Sequence, residues 1–107
     1  MQVKDAIIVY IYSFDKQKQY FFIGDEAVEE VRTLVVKTLK DILGYYQDDE
    51  VGKDHRMECS IYDIVEELKT LIENPDRMIY RGGFGVDNFD INIDFIGDKF
   101  EEAFAPK

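Results

Sequence analysis

Hydrophobic positions in residues 6–14, AIIVYIYSF, fall on both alternating sides of the chain: Ile7, Val9 and Ile11 on one, Ile8, Tyr10 and Tyr12 on the other. Strand side chains point alternately to opposite faces, so a β-branched and aromatic run that is apolar on both predicts a central strand. The polar stretch Asp15-Lys16-Gln17-Lys18-Gln19 interrupts this pattern. Tyr20-Phe21-Phe22-Ile23 follows as a shorter β-like run and reads as the return of a hairpin.

The period then changes to that of a helix. Val28, Val31, Leu34, Val35, Leu39, Ile42 and Leu43 recur at helical spacing, with Asp25 expected as the N-cap and Gly44 as the stop. Glu26, Glu29 and Glu30 near its start and Lys37 and Lys40 near its end complement the helix dipole, which gives those charges a structural explanation. After a polar segment from Tyr45 to Glu58, Ser60-Ile61-Tyr62-Asp63 resembles a helix start. Ile61, Ile64, Val65, Leu68, Leu71 and Ile72 form the apolar stripe of a second helix, which Asn74-Pro75 should end because the residue before proline avoids helical angles.

Met78-Ile79-Tyr80 reads as a short strand and Gly82-Gly83-Phe84-Gly85 as a turn. From Asn88 to Ile96 the alternation is the clearest in the chain: Phe89, Ile91, Ile93 and Phe95 are expected inward, and Asn88, Asp90, Asn92 and Asp94 outward. A helical turn over residues 98–104 would bury Phe100 and Phe104. The order β-β-α-α-β-β, with a possible C-terminal helical turn, predicts a small single α+β domain across residues 1–107, its two helices packed on one face of a mainly antiparallel sheet.

Composition supports independent folding. The 107 residues are 46% hydrophobic and 14% aromatic, enough apolar material to close a core without a disulfide framework, which the single cysteine, Cys59, excludes in any case. A lone cysteine and an N-terminus without the features of a signal peptide point to the cytoplasm, and no apolar run reaches membrane-spanning length. The charge is uneven. Residues 1–44 carry 7 acids and 6 bases, whereas residues 45–107 carry 16 acids and 7 bases, within a formal net charge of −10. Such a surface repels nucleic-acid phosphate and anionic lipid and attracts basic proteins, so direct nucleic-acid or membrane binding is not expected.

Most candidate chemistry fails on spacing. Asp54-His55-Arg56-Met57-Glu58-Cys59 gathers a histidine, a thiol and carboxylates, but one His and one Cys cannot supply the paired motifs of a structural zinc site. An EF-hand register beginning at Asp48 places Lys53 at the turn glycine and Cys59 at the bidentate glutamate, so no metal site is expected. The glycines after Arg81 lack both the Gly-Lys-Ser/Thr ending and the following helix of a phosphate loop.

Acid beside tyrosine is the remaining pattern. Tyr10, Tyr12, Tyr45 and Tyr46, with Asp48, Asp49, Glu50, Asp90 and Asp94, make a set in which rigid amphipathic rings accompany negative charge, as in a recognition surface for a basic protein. The sequence therefore predicts a non-enzymatic interaction module without a cofactor, binding and occluding a basic partner; a toxin immunity protein or nuclease inhibitor is the sharpest form. The alternative is a small enzyme or ligand-binding domain with a pocket around His55 and Cys59.

Overall fold

The computed structural model describes residues 4–48 and 61–106. Strand β1, Ala6–Ser13, is the apolar run and lies inside a four-stranded sheet of order β2-β1-β4-β3. Its neighbour β2 spans Lys16–Phe22, so all of the polar stretch expected to separate two strands except Asp15 is itself strand. The hairpin turn is only Phe14-Asp15, with φ of 51° and 69°. A two-residue hairpin of this hand needs positive φ at both positions, usually met by Asn-Gly, and this sequence meets it without glycine. Strand β2 is an edge, where polar side chains are tolerated because one rim of the strand and much of its surface meet water.

Helix α1, Ala27–Tyr46, buries Val31, Val35, Leu39, Ile42 and Tyr46 along one stripe. It runs through Gly44, which does not act as the expected stop. The next two residues are aromatic, and burial of Tyr46 at 2% exposure rewards another turn of helix. Asp25 is not the cap either: Glu26 holds that position with no side-chain cap hydrogen bond, and Asp25 instead lies 3.8 Å from Lys99.

Helix α2, Ile61–Glu73, packs on α1 and buries Ile64, Leu68 and Leu71. Ser60, the first residue of its anticipated start, lies outside the described residues. The helix stops before Pro75 as its sequence requires. The anticipated strand at Met78-Ile79-Tyr80 is instead helix α3, Asp76–Arg81, with Pro75 already helical at φ −72°. Both Met78 and Ile79 are fully buried in this short helix, which packs against β3 and the C-terminal 3₁₀ turn, Glu101–Phe104.

The glycines that follow are not the last turn. Gly83 opens strand β3, Gly83–Val86, and the chain reverses at Asp87-Asn88 into β4, Phe89–Ile96. At φ 147°, a Cβ on Gly83 would sit 2.1 Å from the Ile91 carbonyl oxygen, so only glycine lets the two backbones meet there. All three strand pairs are antiparallel. Along β4, Ile91 and Ile93 are buried, Phe89 and Phe95 half-buried, and Asp90, Asn92 and Asp94 exposed.

Ile7, Val9, Ile91 and Ile93 of the sheet join the helix residues and Phe100 and Phe104 in one core. Arg32 fastens its rim: Nε and Nη2 each donate to Asp76 at 2.8 Å, while the guanidinium lies 5.3 Å from the Phe104 ring centre. This clamp holds α1 to the start of α3 and to the 3₁₀ turn. Among the described residues, no helix is long and apolar enough to cross a membrane.

Candidate protein-interaction face

Antiparallel register determines which side chains share the sheet face away from the core. Ile7 and Val9 point inward, so Ile8, Tyr10 and Tyr12 of β1 point outward. Their cross-strand partners complete three rows: Phe21–Ile8–Asp94, Gln19–Tyr10–Asn92 and Gln17–Tyr12–Asp90. Ala6 pairs with Ile96 at the far end, and Ile96 is 40% exposed. Asp90 and Asp94 are the only charged residues at outward positions of the four strands, and no lysine or arginine shares these positions.

The glycines of β3 leave part of this face without side chains. The outward positions of β3 are Gly83 and Gly85, which carry no side chains to cover Asn92 and Asp90 of β4. A Cβ at Gly85 would lie 2.5 Å from Asp90 Oδ1, so the carboxylate occupies the space that this glycine leaves. Tyr12 is 39% exposed and Phe21 51%, while Tyr10, central in the sheet, is half-buried.

The face continues to the end of the sheet where both hairpins turn. A recess of about 180 Å³ lies there, lined by Tyr12, Asp90 and Phe89 together with Asp15, Asp87 and Asn88 from the two turns. Its polar character follows from those turns. Asp15 and Asp87 both adopt positive φ, a conformation that aspartate accepts more readily than most residues.

The structure divides the tyrosines and acids singled out from the sequence. Tyr10, Tyr12, Asp90 and Asp94 share one face. Tyr45 and Tyr46 belong to α1 and not to a loop, and they form an edge-to-face aromatic cluster with Phe14 and Phe89, the ring centres of Tyr45 and Phe89 being 5.2 Å apart. Tyr46 is buried, so its assignment to a recognition surface is corrected: its ring seals the end of the core. Burial above all, then the charge of Asp87 and the neighbouring Tyr45, pushes its hydroxyl up to about 12. Tyr45 is half-buried, and Asp48 is exposed just beyond the helix. Asp49, Glu50, His55 and Cys59 lie outside the described residues.

Sequence reasoning grouped Ile8 with Tyr10 and Tyr12 but missed Phe21 and Ile96 as members of the open face. The signal was present in the adjacent Phe21-Phe22, because neighbouring strand residues cannot both point inward. It also missed Asp15 and Asp87, whose contribution depends on two turns meeting in space. Among the described residues, no three His, Cys, Asp or Glu side chains converge in a way that could hold a metal ion. Comparison with known proteins leaves the assignment to this geometry: no family model matches the chain, and no match is found among curated proteins or solved structures.

Proposed function

We propose that this chain is a protein-interaction module that binds a basic protein and occludes it with the open face of its sheet. The observation that carries the reading is the column Ile8–Tyr10–Tyr12 flanked by Asp90 and Asp94, with no positive charge at any outward strand position. Tyrosine rings on a rigid sheet provide contact area at little entropic cost, and carboxylates beside them pair with lysine or arginine. The net charge of −10 adds long-range attraction, which accelerates encounter with a basic partner and weakens as salt rises. A nuclease presents the type of cationic surface this face complements, since carboxylates can take the place of phosphate oxygens. An immunity protein or nuclease inhibitor in the cytoplasm is therefore the sharpest form of the proposal.

Affinity capture from the native host tests it, with wild type and a Tyr12→Ala/Asp90→Ser/Asp94→Ser variant as parallel baits. Wild type should retain a basic protein that the folded variant loses. Equal retention by both baits would remove the open face from the interface.

A further inference from the structure

We infer that the cleft between β2 and α1, on the helical side of the sheet, binds a small organic phosphate: a phosphomonoester carrying an apolar or aromatic body. The cleft has a volume of about 340 Å³, within the range of small-molecule sites. Lys16 and Lys18 enter it from β2, where they pair with Ser13 and Ile11 on the inward side and stand roughly 7 Å apart along the strand. Lys37 reaches it from α1, and Ile11, Leu34 and Tyr20 are among its apolar lining.

The cleft's charge is unusual for this protein. Acids outnumber bases 23 to 13 in the chain, yet Lys16, Lys18 and Lys37 make no ion pair among the described residues. One carboxylate, Asp41, shares the cleft, leaving two positive charges in excess. Inward-pointing lysines on an edge strand also discourage pairing with another sheet, which accounts for Lys16 and Lys18. It does not account for Lys37, which lines the cleft from a different element and, because α1 continues to Tyr46, does not lie in the last turn where it would complement the helix dipole. Three lysines lining a cleft with Ile11, Leu34 and Tyr20 match a dianionic phosphate attached to an apolar group: the lysines would act as point charges on the phosphate, and the apolar lining would remove the body from water. The ligand is on the opposite side of the sheet from the Tyr12–Asp90 face, so this inference is independent of the partner proposal.

The test is a titration of the isotope-labelled full chain with phenyl phosphate, followed by amide shifts, with inorganic phosphate and phenol as separate probes. Saturable shifts should map to β2 and the middle of α1, with phenyl phosphate binding more tightly than either fragment. Lys37→Gln should weaken binding about tenfold, the loss of one charge-assisted contact. Lys40→Gln, on α1 outside the cleft, should bind like wild type, and so should Tyr12→Ala. The inference is overturned by non-saturating shifts, by shifts scattered over other lysines, by equal affinity for inorganic phosphate, or by wild-type binding in Lys37→Gln.

Discussion

Tyr12 stands directly opposite Asp90 in the β1–β4 ladder, on the sheet face opposite the buried Ile91 and Ile93. Cross-strand partners lie within about 5.5 Å at Cβ, so the ring and the carboxylate are presented together. The same ladder places the neighbouring Ile91 against Ile11 on the side facing α1. One strand thus supplies Ile91 and Ile93 to the core and Asp90 and Asp94 to the proposed interface, and substitutions one residue apart should have opposite consequences.

Ile93→Ala should cost about 2–5 kcal/mol, through lost transfer energy and the cavity left in the core. Asp90→Ala should change stability by less than about 0.5 kcal/mol, because its side chain lies in solvent. Urea denaturation of both variants checks the assignment of the two faces; comparable large losses would mean that they are reversed.

Two glycines should respond to alanine with opposite signs. Gly44→Ala should stabilise the protein by about 0.5–1 kcal/mol, since Gly44 is helical and a Cβ there meets nothing within 4 Å. Gly83→Ala should destabilise by at least about 1–3 kcal/mol, because its φ of 147° and the Ile91 carbonyl both oppose a side chain. Thermal melts of the pair give the comparison directly.

These glycines also show where the sequence was readable. Helix α1, the central strand β1 and the alternation of β4 were legible because each has a long run of one period. Gly44 misled because a stop signal carries no information about the aromatic pair packed beyond it. Met78-Ile79-Tyr80 misled because three consecutive apolar residues have no distinguishable period, and only the docking of Met78 and Ile79 beside the 3₁₀ turn selects helix. In β2, the lysines and glutamines concealed a strand whose position at an edge is a property of the sheet. Tyr10, Tyr12, Asp90 and Asp94 were legible as a set, yet Asp15 and Asp87 become their neighbours only when two hairpins close side by side.

The Arg32–Asp76 clamp should be measurable as a coupling. A double-mutant cycle with Arg32→Ala and Asp76→Ala should give about 1 kcal/mol, above a single exposed ion pair because two parallel hydrogen bonds form in a half-buried setting. Chemical denaturation of the four proteins supplies the value, and zero coupling would remove the clamp from the account of how α3 is held.

Burial of Tyr46 links stability to alkaline pH. The fold favours its neutral form, so that contribution is fully present below the ordinary tyrosine value of about 10 and is lost as pH rises toward about 12. Denaturation midpoints should fall through this window in wild type, and Tyr46→Phe should flatten the fall. An identical decline in Tyr46→Phe would assign the alkaline loss to other groups.

The most direct test of the partner-binding account is kinetic. With the captured basic protein immobilised, association and dissociation rates are measured at two salt concentrations for wild type, Asp90→Ser/Asp94→Ser and Tyr12→Ala. Removing the aspartates should slow association, chiefly at low salt, whereas removing the Tyr12 ring should accelerate dissociation with little effect on association. Rates identical to wild type in all three proteins would contradict the account and place the interface elsewhere on the molecule.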